Sequence, residues 1–218
     1  MSAFVNFNLH HNNFLLTKDR TIFWEEEKIL ILSDLHLGKT GHFRKAGIGV
    51  PQTIFKEDMQ RLVSQLQYFK PTQLLVVGDL FHSTVNKEHE LFLKWRNDFP
   101  GITIQLVKGN HDILKNEWYQ EAGINLCTDE LKINGFLFTH DIETCTTMDH
   151  EYCFSGHIHP GIKMKGLGRQ SIHLPCFYFG KDHAVLPAFG KFTGTYPVKP
   201  GKGDVVFALV EDSIVQIQ

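Results

Sequence analysis

The sequence predicts an α/β chain, a layered sandwich of two mixed sheets flanked by helices, and three observations predict it. In the first half, short apolar runs alternate with amphipathic segments. In the second half, β-rich runs follow one another with turns and no convincing helix between them. The early runs also end in carboxylates, imidazoles and an amide, the place where open α/β sheets keep their ligands. With 218 residues, 42% hydrophobic and 21% charged, and with no internal repeat or linker, the chain suits one domain over residues 1–218 around one sizeable core.

Taken in order, "TIFW" (21–24) and "KILILS" (28–33) read as strands. The segment "QTIFKEDMQRLVSQLQYF" follows, where Ile54, Phe55, Met59, Leu62, Val63, Leu66 and Phe69 recur near helical spacing until Pro71 stops it. "QLLVV" (73–77) is the next strand, residues 86–98 with Phe92 and Trp95 the next helix, and "ITIQLV" (102–107) the next strand. Strand, helix, strand, helix, strand implies a parallel or mixed sheet joined by right-handed crossovers. "GFLFT" (135–139), "YCFS" (152–155) and "DVVFALV" (204–210) then suggest a second sheet packed on the first.

Composition sets the class. No window has the roughly 18 apolar residues needed to cross a bilayer, and the start lacks the features of a signal peptide, so the expected place is the cytoplasm, with no membrane partner. Cys127, Cys145, Cys153 and Cys176 form no C-x-x-C pair and are expected to be reduced core thiols. The formal charge of −2 is unevenly spread: Pro160 to Gly203 holds seven basic residues against Asp182 alone, a net +6 that leaves −8 for the rest. That segment interleaves Lys163, Lys165, Arg169, Lys181, Lys191, Lys199 and Lys202 with Phe177, Tyr178, Phe179, Phe189, Phe192 and Tyr196. It reads either as a surface able to neutralise phosphates and stack bases or as a solvated basic face over an aromatic core.

Thirteen histidines are the outlier, because histidine is the commonest metal ligand. His10, His11, His89 and His150 lie in polar contexts and are expected on the surface. Five others, His36, His111, His140, His157 and His159, stand at strand ends. "KILILS" runs into "DLHLGK" with Asp34 and His36, whose two-residue spacing points both side chains one way in extended chain. "QLLVV" runs into "GDLFHS" with Asp79, and "ITIQLV" into "GNHD" with Asn110, His111 and Asp112. "GFLFT" ends at His140, and "YCFS" runs into "GHIHP" with His157 and His159. A lone residue of this kind usually makes a turn or caps a helix, but five successive strand ends bearing the same types point to one cluster. Nitrogen and oxygen donors without thiolates suit Mn, Fe, Ni or Zn. Seven ligands exceed one four-coordinate ion and suit two divalent ions sharing a carboxylate, which is the apparatus of phosphoester hydrolysis.

The series "DLH", "GD", "GNHD", a lone histidine and "GHIH", from Ile29 to about Pro160, resembles the calcineurin-like metallophosphoesterases. The resemblance implies that Asp34, His36 and His159 hold a first ion, that Asp79 bridges, and that Asn110, His140 and His157 complete a second. It implies that His111 stays off the metals, steadies the phosphoryl charge and protonates the leaving oxygen, oriented by Asp112. Asp141 after His140 departs from the glycine of many relatives. The stretches "DLHLGKTGHFRKAGIGVP", "GDLFHS" and "LPCFYFG…LPAFGKFTGTYP" are similar to the bacterial ligase-associated DNA damage response endonucleases. That likeness implies a Mn-dependent phosphodiesterase acting on DNA, in the company of an ATP-dependent DNA ligase, a helicase and an exonuclease. His42, Arg44 and His82, close after ligand motifs, are further candidates for substrate phosphate. Two other functions stay open: a hydrolase of small molecules such as UDP-diacylglucosamine, and a non-catalytic scaffold. The first needs an apolar lid, and the 27 positions between Asp112 and His140 offer only "LKNEWYQEA" as a helix; the second is expected to lack ligands that this chain retains.

Overall fold

Alternation along the strands decides which residues meet. The computed structural model describes residues 4–145, 151–165 and 170–218; His150 and Arg169 lie outside the described residues. β1 (Phe4–Leu9), β2 (Asn12–Thr17) and β3 (Ile22–Trp24) form an antiparallel meander that leads into β4 (Ile29–Leu32). The chain then crosses over repeatedly. α1 (Lys39–Lys45) and α2 (Thr53–Phe69) lead to β5 (Gln73–Val77), α3 (Lys87–Asn97) to β6 (Thr103–Val107), and α4 (Asn116–Glu121) to β7 (Ile124–Cys127). β4 to β7 pair in parallel, completing a mixed seven-stranded sheet in chain order.

β4 and β5 are apolar without a break because both their faces are covered. Leu30, Leu32, Leu74, Val76 and Leu106 face outward onto Met59, Leu62 and Leu66 of α2 and Phe92 of α3. Ile29, Ile31, Leu75, Val77 and Val107 face inward onto Phe136, Phe138, Phe154 and Phe177 of the second sheet. α2 ends where Lys70 takes a left-handed conformation (φ 47°), its N–H bonding Leu66 O just before Pro71. α3 begins with a capping box: the Asn86 side chain accepts from Glu88 N–H at 3.0 Å, and His89 Nδ1 accepts from Asn86 N–H at 3.2 Å. That box corrects the surface position expected for His89, which is fully buried and stacked on Phe81 with ring centroids 5.0 Å apart. His10 and His11 are exposed in the β1–β2 turn, as expected.

The second sheet follows in the chain: β8 (Leu131–Ile133), β9 (Phe136–Phe138), β10 (Tyr152–Ser155), β11 (Pro160–Lys165), β12 (Ser171–Phe179), β13 (His183–Val185), β14 (Tyr196–Pro197), β15 (Val205–Val210) and β16 (Ser213–Gln216). Its order is β14-β11-β12-β13-β10-β9-β8, with the β15–β16 pair joined to β12. β9, β10 and β13 run parallel at its centre, beside antiparallel neighbours. Phe177, Phe179 and Phe189 are core residues, so much of the aromatic content of 160–203 serves packing; Tyr196 is exposed and Phe192 half-buried.

The cysteine expectation holds in part. Cys127 and Cys176 are free, but Cys145 and Cys153 are joined in a disulfide, because a single 3-10 turn (Ile142–Thr144) brings Cys145 back against β10. The segment after β13 ties the two sheets together. Ala188 bridges Ser33, Phe189 N–H donates to Ser33 O at 2.8 Å, and Gly190 N–H donates to Asp34 O at 3.1 Å. Buried Asp58 and half-buried Arg20 and Arg61 hold it there. Arg20 donates to Ala188 O and Gly190 O, Arg61 lies over the Phe189 ring at 4.1 Å, and Asp58 accepts from Lys191 N–H at 3.1 Å.

Candidate metal centre

Five strands deliver seven side chains to one end of the sandwich: Asp34 and His36 after β4, Asp79 after β5, Asn110 after β6, His140 after β9, and His157 and His159 after β10. Five of these seven have left-handed backbone: Asp34 (φ 53°), His36 (φ 51°), Asp79 (φ 51°), His157 (φ 67°) and His159 (φ 51°). Such a conformation costs a non-glycine residue roughly 1–2 kcal/mol, and it persists where surrounding bonds over-determine it. Here they do. Asp34 N–H donates to Gly78 O at 3.0 Å, His36 N–H to Asp79 O at 2.9 Å, and Leu37 N–H to Leu80 O at 2.9 Å. The two-residue spacing of "DLH" and "HIH" therefore works through paired left-handed residues and not through the extended chain expected from sequence.

The donor atoms converge. His159 Nε2 is 3.2 Å from Asp34 Oδ1 and 3.4 Å from His36 Nε2, which is 4.0 Å from Asp34 Oδ1. His140 Nε2 is 3.1 Å from Asn110 Oδ1 and 3.2 Å from His157 Nδ1. Asp79 Oδ2 lies between the sets, 3.8 Å from His36 Nε2 and 3.4 Å from His140 Nε2. Atoms bound to one ion at about 2.0–2.2 Å stand about 3 Å apart when at right angles, so these separations fit shared cations. Asp34, His36 and His159 form one trio with metal-site spacing, and Asp34, Asp79 and His140 form another. Asp34 thus stands in both.

The supporting bonds point the donors. His111 N–H donates to Asp79 Oδ1 at 2.8 Å, leaving Oδ2 for the centre, and His157 N–H donates to Asp34 Oδ2 at 3.1 Å. His140 Nδ1 lies 3.3 Å from Val77 O, which turns Nε2 inward. Two glycines make room: a Cβ on Gly78 would overlap the His140 ring, and one on Gly109 would overlap the Asp79 carboxylate. Burial holds the His36 imidazole at about 2, in the neutral form that binds metals. Burial opposes charge on Asp79 and His140 as well, yet their mutual hydrogen bond and attraction win, taking Asp79 to about 2 and His140 to about 9. The two carboxylates attract positive charge to this point, as a cation site requires.

The remaining candidates separate. His111 is half-buried beside His36, ring centroids 5.2 Å apart, and stacks on His82 at 4.4 Å. His42 is exposed next to His82 and lies 3.0 Å from Ser83 Oγ through Nδ1. Asp112 departs from its expected role. Its buried carboxylate accepts from Phe81 N–H and Gly109 N–H, both at 2.9 Å, and among the described residues makes no hydrogen bond to the His111 ring; it braces two ligand loops instead. Arg44 departs too. Its guanidinium is engaged by buried Glu88 at 2.8 Å, by Thr40 and by Val50 O, which turns it from substrate toward holding α1 in place. Sequence reasoning passed over Lys39, which shares a crevice with His36 and feels the charges of Asp79 and Asp34. Its only signal was its place in "DLHLGK", directly after a glycine.

The description "Calcineurin-like phosphoesterase" belongs to the family profile that matches residues 27–157, the stretch that runs from β4 to the "GHIH" histidines. No curated protein sequence matches the chain. Among solved structures, "Crystal structure of Pseudomonas putida nuclease MPE" superposes with a TM-score of 0.80 at 22% identity, covering 94% of this chain and 96% of that one. The profile spans more than half of the sequence and covers every side chain of the centre except His159. The chain belongs to the calcineurin-like phosphoesterase family of metal-dependent hydrolases.

Proposed function

We propose that this phosphoesterase is a binuclear, Mn-dependent phosphodiesterase that cleaves DNA in the cytoplasm, in a repair pathway shared with an ATP-dependent DNA ligase, a helicase and an exonuclease. The observation that carries the binuclear reading is the position of Asp79, whose one free oxygen faces imidazoles of both sets. Asp34, His36 and His159 would hold one ion, Asn110, His140 and His157 would hold the other, and Asp79 would be shared between them. Two divalent ions supply Lewis acidity that activates water and neutralises phosphoryl oxygens in an in-line displacement. The name of the Pseudomonas putida neighbour supports a nucleic acid as the diester.

The chain's own acid is His111. Its backbone N–H is fixed by Asp79 and its ring lies beside His36, which sets a half-buried imidazole next to the centre, where a leaving alcohol would need a proton. As the phosphorus–oxygen bond breaks, His111 gives its proton to the leaving oxygen. His82, which burial and the neighbouring His111 hold neutral at about 4, packs against that ring and limits its motion. The test compares single-stranded DNA, nicked DNA and methyl p-nitrophenyl phosphate with Mn, using wild type and His111→Ala. On DNA, whose alkoxide needs a proton to leave, the variant should keep its metal content and lose turnover by about 10²-fold or more. Unchanged turnover would remove His111 from the chemistry. Hydrolysis of the small diester alone by wild type would remove DNA as the substrate and keep the two-ion reaction.

A further inference from the structure

A groove of about 380 Å³ opens on the His36 side of the centre, lined by Lys39, Phe43, Lys191, Phe192, Thr193 and Gly194. Lys39 and Phe43 come from α1, and the others from the segment that follows Phe189. Lys39, Phe192 and Thr193 also line a narrow crevice that reaches His36 of the metal centre. The rings of Phe43 and Phe192 meet at 88° with centroids 5.5 Å apart. A perpendicular pair cannot bury all its faces in mutual contact, and both residues are half-buried.

Each wall is anchored from beneath by a buried carboxylate. Glu88 accepts from Gly38 N–H at 2.8 Å and from Arg44 Nη2 at 2.8 Å, and also bonds the Thr40 hydroxyl, which fixes α1. Asp58 accepts from Lys191 N–H and Arg61, which fixes the facing segment. The groove is therefore formed before a ligand arrives, so little ordering cost attends binding. Its charged lining consists of two lysines and no carboxylate. Lys191 Nζ pairs with Glu57 at 3.0 Å, but both partners are about half exposed, and a pair of that kind yields readily to a phosphate.

We infer that this groove seats one nucleobase flanking the scissile phosphate, stacked against Phe43 and Phe192, with Lys39 and Lys191 on the adjoining backbone phosphates. The inference rests on the reading of the chain as a phosphodiesterase of nucleic acid. An aromatic face recognises the face of an unpaired base, whichever base it is, and lysines track the backbone. Phe192 thus belongs to substrate binding, whereas Phe177, Phe179 and Phe189 of the same segment belong to the core.

The test separates base from backbone. Binding of a labelled oligothymidylate and of an abasic strand of equal length is measured by fluorescence anisotropy, with metal-loaded protein carrying His111→Ala to prevent turnover. Adding Phe192→Ala or Phe43→Ala should weaken oligothymidylate binding about tenfold and change abasic binding by less than about twofold. Phe192→Tyr should restore it and Phe192→Leu should not, while Lys191→Ala should weaken both strands and do so less at high salt. Metal content and the thermal melting of each variant check that the centre and the fold are still formed. Equal binding by Phe192→Leu and the parent, or equal losses on both strands, would overturn the groove as a base site and leave the nuclease reading standing. If the parent binds neither strand while the wild type hydrolyses the small diester, the nucleic-acid reading falls and takes the groove with it.

Discussion

The two flanks of the metal centre carry opposite electrostatics. Beside His36, the groove offers Lys39 and Lys191 with two phenylalanine rings and no carboxylate. Beside Asn110, His140 and His157, a cleft of about 490 Å³ carries Asp129, Glu130 and Asp141 against the single Lys108, with Thr128 and Thr144 along its wall. Ligands of the same types are distributed over both sides, yet the field around them is not symmetric. By charge alone the first flank attracts an anion and the second repels one. Side chains one turn away from the cluster, and not the cluster itself, make the two flanks differ.

The largest effect expected is at Asp79, where the flanks meet. Asp79→Asn should lose both ions and nearly all activity, more than the roughly 10- to 100-fold cost of losing an outer-shell partner. Metal analysis after dialysis checks it, and retention of one equivalent would mean that the flanks are independent sites. Gly109→Ala asks the same question with the carboxylate kept. Gly109 does not have a left-handed backbone, so the added methyl acts by space alone, overlapping the Asp79 carboxylate and backbone N. The carboxylate can turn partly away but the Asp79 backbone N cannot, so the loop must shift, and the expected loss of activity is about 100-fold, short of that at Asp79→Asn. Activity like wild type would show that the fit around Asp79 is looser than the glycine implies.

The same contrast explains what could be read in the sequence. β4, β5 and β6 and helices α2 and α3 were legible because apolar periodicity and Pro71 mark them, and the ligand types stood at the strand ends regardless of backbone detail. The left-handed conformations of Asp34, His36, Asp79, His157 and His159 were not legible, since no local propensity favours them; tertiary hydrogen bonds impose them. β1 and β11 carry a two-residue alternation (Val5, Phe7 and Leu9 with Asn6 and Asn8; Ile162 and Met164 with Lys163) instead of the continuous apolar runs of β4 and β5, and pairing with neighbouring strands decides them. Arg44 and Asp112 were misjudged for one reason: a charge near a ligand motif looks like substrate binding or catalysis until its buried partner is known. His89 looked exposed because its neighbours are polar, whereas the turn of α3 carries its ring inward.

The smallest effect expected tests the acidic flank itself. Asp129→Asn and Asp141→Asn remove charge while keeping shape, and an asparagine at 141 can still accept from Glu143 N–H, as Asp141 does at 3.0 Å to cap the following 3-10 turn. Asp129 is exposed and Asp141 half-buried, so each repulsion acts through solvent and is screened by salt. Together the two changes should tighten oligonucleotide binding by about twofold to threefold at low ionic strength and by nothing measurable at high salt. Turnover of methyl p-nitrophenyl phosphate, which carries a single charge and reaches only the centre, should stay level. Tighter binding that persists at high salt would point to a new hydrogen bond instead of lost repulsion. Weaker binding would mean that these carboxylates contact the strand, and the two flanks would then be two halves of one substrate path.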